Sequence, residues 1–115
     1  MALPFLALLG LGGLAAVAVV AFWDEIVDWL KQIVPAIKNF FRKIAHATAA
    51  FVQKVKAKIA KIMHRVYYKE DNKWIEQTTT REIPESELPA SVRRKMMSTR
   101  ENEVTEELQE MGLEV

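Results

Sequence analysis

The hydrophobic and polar positions of this chain follow three rhythms. Residues 1–23, MALPFLALLGLGGLAAVAVVAFW, carry no charge; they comprise 19 apolar side chains, three Gly and Pro4. At 1.5 Å per residue such a run is long enough to cross roughly 30 Å of hydrocarbon as a helix. It lacks the basic start of a secretory signal, and its apolar core exceeds the roughly 7–15 residues usual there. The predicted element is a transmembrane helix over 1–23, with Pro4 in the first turn and Trp23 at the interfacial boundary. Gly12, Gly13 and Ala16 are its candidate packing residues, because small side chains let helix backbones approach in lipid.

From residue 26 the rhythm becomes helical. Ile26, Leu30, Ile33, Ile37, Phe40, Ile44, Ala47 and Phe51 are separated by steps of four and three in alternation, the spacing of a heptad seam. Val55, Ile59, Ile62 and Val66 continue it with steps of four, four, three and four, an eleven-residue repeat that relaxes the supercoil. The reading is one long amphipathic helix over 24–66, kinked at Pro35. A regular seam this wide predicts a bundle made with other copies of the chain. Its competitors are a stripe lying on a membrane surface and a stripe packed on the chain's own C-terminal part.

The last third is more polar. Residues 66–68 and 73–83 are rich in β-branched and aromatic side chains, with turn residues between them, and predict a small hairpin. Short helices are expected near 89–97 and 103–111, the latter stopped by Gly112. The expected fold class is mainly α: a transmembrane helix over 1–23, an oligomerisation helix over 24–66, and a small cytoplasmic cap over 67–115.

Charge sharpens this picture. The formal net charge of +1 conceals seven basic and two acidic residues over 49–73, and six Glu with no basic residue over 101–115. On a helical wheel Lys54, Lys58, Lys61 and Arg65 fall together, making a candidate basic face for an anionic ligand: a nucleotide, an oligonucleotide or a lipid headgroup. Basic residues follow the apolar run and none precede it, so the positive-inside rule places the N-terminus outside and the C-terminus in the cytoplasm. The chain has no Cys. Its two His, His46 and His64, lack metal-ligand spacing, so no metal or cofactor is expected. No P-loop, dinucleotide-binding, nucleophile-elbow or HExxH motif occurs, and an enzyme is not expected.

These features together predict a small homo-oligomeric membrane protein, a channel or pore-forming effector gated through its cytoplasmic part, of the kind used in bacterial antiviral defence. The rival expectation is a single-span membrane-anchored adaptor that recruits a cytoplasmic protein. Its partners would be membrane lipids, copies of itself, and the anionic ligand.

Overall fold

The computed structural model describes residues 18–96 and 99–115. In chain order these form β1 (Ala18–Val19), α1 (Trp23–Phe40), β2 (His46–Lys56), β3 (Ile59–Glu70), β4 (Lys73–Pro84), a 3-10 turn (Glu85–Glu87), α2 (Ala90–Lys95), β5 (Asn102–Glu103) and α3 (Thr105–Glu110). The architecture is mixed α/β, one long helix laid on a sheet of order β1-β4-β3-β2-β5.

α1 forms because its apolar residues recur at helical spacing. Ile26, Trp29, Leu30, Ile33, Val34 and Ile37 are all buried, and each large side chain so buried contributes about 1.5–3 kcal/mol. Asp24 and Glu25 lie in its first turn and Lys38 in its last, the charges that each end of the helix dipole favours. Glu25 also reaches back to accept the Ala21 N–H at 3.0 Å. Pro35 sits inside the helix on its exposed side. The helix ends at Phe40, with Phe41 at φ −92° and ψ 8°.

β2, β3 and β4 are consecutive antiparallel strands. Their register assigns side chains to two faces, because successive residues of a strand point opposite ways. Ala50 and Val52 of β2, Ala60, Ile62, Val66 and Tyr68 of β3, and Ile83 of β4 share the face that meets α1 and form one core with it. Leu88, Val92, Val104, Leu108, Leu113 and Val115 close the same core from the C-terminal segment. The opposite face carries Phe51, Met63, Arg65, Tyr67 and Trp74. The two hairpin turns both need the left-handed backbone region. Asp71 and Asn72 adopt φ 51° and 64°, and Lys58 adopts φ 65°. Asp and Asn tolerate that region, whereas Lys does so at a cost.

Several expectations are corrected. The fold is not mainly α, and the amphipathic helix does not extend over 24–66: it stops at Phe40, and residues 46–56 and 59–70 are strands. There is accordingly no coiled-coil seam. Ile26, Leu30, Ile33 and Ile37 are buried against the chain's own sheet. Phe40 is half-buried beside that core; Ile44 and Val55 are each 40 % exposed. Phe51 and Ile59 are half-buried on the strands, and of the later seam residues Ile62 and Val66 are core residues.

The membrane, channel and pore readings gain no support from the described residues. Among the described residues no helix is long and apolar enough to cross a membrane. The end of the expected span is a strand, Ala18–Val19, paired in parallel with Arg81 and Glu82 of β4, and Val20 donates to Glu82 O at 2.8 Å. Gly12, Gly13 and Ala16 lie outside the described residues. The short C-terminal hairpin is part of a longer one, β3–β4, whose strands have 12 residues each.

Candidate functional site

The β2–β3 hairpin ends in the sequence Lys54-Val55-Lys56-Ala57-Lys58-Ile59-Ala60-Lys61. Its register pairs Lys54 with Ala60, Lys56 with Ile59 and Lys61 with Gln53, and a bulge separates Lys54 from Lys56. The bulge turns the strand end, so four ammonium groups spread around one tip. Lys54, Lys56 and Lys58 are exposed and Lys61 half-buried. Glu85 braces this end: its N–H donates to Lys58 O at 2.9 Å, and its Oε2 lies 3.8 Å from Lys54 Nζ. Lys56 and Lys58 enter no ion pair among the described residues.

The structure thus brings Lys54, Lys58 and Lys61 together and removes Arg65 from them. Four residues along β3 from Lys61, about 13 Å at strand rise, Arg65 is held on the sheet face away from α1 with its side chain 12 % exposed. Its Nη1 and Nη2 donate to Glu101 Oε1 and Oε2 at 3.0 and 3.1 Å. Its Nε donates to Thr78 Oγ1 at 2.9 Å and lies 3.4 Å from Glu76 Oε1. The guanidinium also stacks 4.6 Å above the Phe51 ring. This fork lowers the Glu101 carboxyl below its ordinary range and raises the Arg65 guanidinium further above its own. Arg65 is a clamp that fastens the segment entering β5 to the sheet.

Lys56 was not part of the helical basic face, because two residues along a helix is a turn of 200°. What gathers Lys56 with Lys54 and Lys58 is the chain reversal after Lys56 and the bulge before it, which set Lys54 opposite Ala60 and Lys56 opposite Ile59. No local sequence feature announces the Arg65–Glu101 pair, whose members are 36 residues apart.

His64 is only 1 % exposed, on the core face. Its Nε2 donates to Val115 O at 3.3 Å, and the same oxygen accepts from Thr48 Oγ1 at 2.7 Å. Lys38 and Glu114 pair alongside at 3.3 Å. His64 Nδ1 is buried without a hydrogen-bond partner, as expected of a neutral ring protonated on Nε2. Burial pushes this imidazole below its ordinary 6.5, the Val115 bond opposing and the Lys38 charge adding to the effect. The unfolded chain therefore takes up a proton that the native state refuses. Stability should be complete above about pH 6.5 and fall as pH drops toward the lowered native value, with a slope of at most about 1.4 kcal/mol per pH unit for one proton. Urea unfolding at pH 7.5 and 5.5 measures this. His64→Leu should flatten the slope, and a variant as pH-sensitive as the native chain would discharge His64 from that role.

Two other features are less suited to ligands of this kind. A polar depression beside α2 and α3 is lined by Lys95, Glu103, Thr105, Glu106, Glu107 and Gln109; it is acidic on balance, and Lys95 is paired with Glu107 at 3.6 Å. Among the described residues no group of His, Asp and Glu side chains is arranged to hold a metal ion. Comparison with protein-family models, with curated proteins and with solved structures returns no match to this chain.

Proposed function

We propose that this chain is a binding module whose β2–β3 hairpin tip engages the phosphate backbone of a nucleic acid. The observation that supports this is the four-lysine tip, Lys54, Lys56, Lys58 and Lys61, gathered on eight residues at the end of the hairpin. Like charges concentrated on a protruding tip repel one another, and a polyanion relieves that repulsion while releasing its own counterions. Lysines on flexible stems act as point charges toward phosphate; they provide affinity without reading bases.

The test is fluorescence anisotropy with end-labelled oligonucleotides over 50–200 mM salt. With three or four phosphates engaged, log K should fall against log salt with a slope of about −2 to −4. Combining Lys54→Ala, Lys56→Ala and Lys61→Ala with Lys58→Gly should lower the slope by about 1 per lysine, and weaken all sequences alike. Lys58→Gly is chosen because glycine accepts φ 65° without the roughly 1–2 kcal/mol penalty of an L side chain, so the variant retains its fold. Undetectable binding by the native chain at 50 mM salt would refute the proposal. So would a salt slope unchanged in the variant, or binding confined to anionic vesicles.

A further inference from the structure

We infer that the outer edge of β4 pairs with the same edge of a second copy, so that the chain forms a two-fold dimer through one continuous sheet. β4 spans Lys73–Pro84, and on its outer side β1 pairs only with Arg81 and Glu82. Among the described residues no strand covers Lys73–Thr80. The other edge of the sheet is covered by the chain itself. β5 pairs with β2 at Phe51 and Val52. Beyond it the Val104 N–H donates to Ala50 O at 2.8 Å, and the Ala50 N–H donates to Thr105 Oγ1 at 3.0 Å.

Glu82 O accepts the Val20 N–H, so Glu82 turns its backbone groups outward. By strand alternation Trp74, Glu76, Thr78 and Thr80 do the same. Thr80 O takes a bond from Arg81 Nη1 at 3.0 Å; Trp74, Glu76 and Thr78 hold their N–H and C=O groups toward a further strand. Natural sheet edges are blunted by Pro, by bulges or by charge. Residues 73–83 contain no Pro, and the β3–β4 register runs without a bulge. The Glu76 carboxylate lies 3.4 Å from Arg65 Nε, which leaves Lys73 to guard the edge from its far end.

Antiparallel pairing about a two-fold axis is self-complementary, and charge and backbone select its register. An axis at Glu76 sets that carboxylate against its own copy. An axis at Gln77 sets Lys73 against Arg81 and runs the added strand into β1. An axis at Trp74 draws Asn72, left-handed at φ 64°, into the ladder. An axis at Ile75 opposes no like charges: Lys73 meets Gln77, Trp74 meets Glu76, and Ile75 meets itself. Trp74 and Glu76 then exchange their outward hydrogen bonds, twice over by symmetry. The two Trp74 indoles, each 60 % exposed in the single chain, become diagonal neighbours within reach of one another. Ile75, already packed against the core, gains its copy on the opposite face of the sheet. One register thus shelters the indole, pairs the isoleucines and sets no like charges together, which favours a second copy over an unrelated strand. The lysine tip lies at the other end of β4, where Pro84 pairs with Ile59. Antiparallel pairing sends the two tips in opposite directions and leaves both free.

The chain has no Cys, so a single introduced thiol reports its own neighbour. Cross-strand residues that share no backbone bonds have Cα atoms about 4.5 Å apart, within the span of a disulfide, about 4.4–6.8 Å. Under mild oxidation the full chain carrying Ile75→Cys should become mostly covalent dimer. Gln77→Cys, opposite Lys73, and Glu110→Cys, exposed on α3, should stay largely uncrosslinked. Sedimentation of the native chain from about 10 µM to 1 mM should show its mass rising from one chain toward two, the weak association expected of a small interface. Trp74→Lys should raise the dissociation constant at least about tenfold, because it sets two ammonium groups where the indoles meet. The tip lysines take no part in this contact, so the tip-lysine variant should dimerise like the native chain. A chain that stays monomeric throughout, with Ile75→Cys uncrosslinked, would overturn the dimer. So would crosslinking at Gln77→Cys or Glu110→Cys as efficient as at Ile75→Cys, or an association that Trp74→Lys leaves unchanged.

Discussion

Replacing Phe41 with Ala should cost about 3–5 kcal/mol, the range for deleting a buried aromatic ring. Domains typically have only about 5–15 kcal/mol to lose. Phe41 is fully buried at the junction where α1 ends. Its ring stacks on Tyr68 of β3 at 4.7 Å and 27°, and meets Phe40 edge-on at 4.9 Å and 88°. Its N–H still donates to Ile37 O at 3.0 Å, so the residue belongs to the last turn of the helix and to the sheet's core at once. Removing the ring leaves a cavity that neither element can close without breaking the chain reversal between them. In urea, where small proteins lose about 1–3 kcal/mol per molar, the midpoint should fall by about 1–5 M. Phe41→Leu should retain much of the loss-making volume and shift it far less. A cost below about 1 kcal/mol for the Ala variant would mean that the helix and sheet are not joined at this point.

Arg65→Leu should be the second most damaging change, at about 2–4 kcal/mol. The side chain is 12 % exposed, and it makes two charge-assisted bonds to Glu101, one to Thr78, and the stack on Phe51. Charged hydrogen bonds are each worth about 1.5–3 kcal/mol, but Glu101, 38 % exposed, recovers hydration when released. Glu101→Gln should therefore cost less, under about 1 kcal/mol, because solvent screens its side of the pair. Arg65→Lys should not rescue, since an ammonium cannot reproduce the planar fork.

The acid response supplies an independent check. Arg65 depresses the Glu101 carboxyl in the native state. Its contribution is therefore present above the ordinary carboxylate value and lost as pH falls through the lowered one. Unfolding curves at pH 7 and pH 3 should show this loss in the native chain and a smaller one in Arg65→Leu. Equal acid sensitivity in both would remove Glu101 from the account.

The contrast between pattern and fold is clearest at the hairpin that carries the lysines. Phe51, Val55, Ile59, Ile62 and Val66 are mostly four residues apart, and four is both nearly one helical turn and an even number of strand residues. Only the single step of three, from Ile59 to Ile62, separates the two readings, and it fits the alternating steps of four and three upstream. The reversal at Ala57 and Lys58 contains no Gly, Pro, Asn or Asp, so nothing local marks it. By comparison, the β3–β4 reversal falls on Asp71 and Asn72, within the turn residues visible in the chain. The candidate basic cluster is legible as composition, but its membership is not: a helical wheel includes Arg65 and omits Lys56, whereas the hairpin reversal gathers Lys56 at the tip and leaves Arg65 far along β3.

The amino-acid sequence alone determined that residues following Trp23 form a helix with one apolar face, that the chain turns near Asp71, and that positive charge gathers over 49–73. Tertiary structure alone decided what that apolar face meets, that the charge sits on a β-hairpin tip, and that Arg65 serves the fold. The reason is physical. Helical periodicity and turn chemistry act between neighbours in the chain, whereas the sheet is made by pairings such as Phe51 with Glu103 and Arg65 with Glu101, whose energy exists only once distant segments have met.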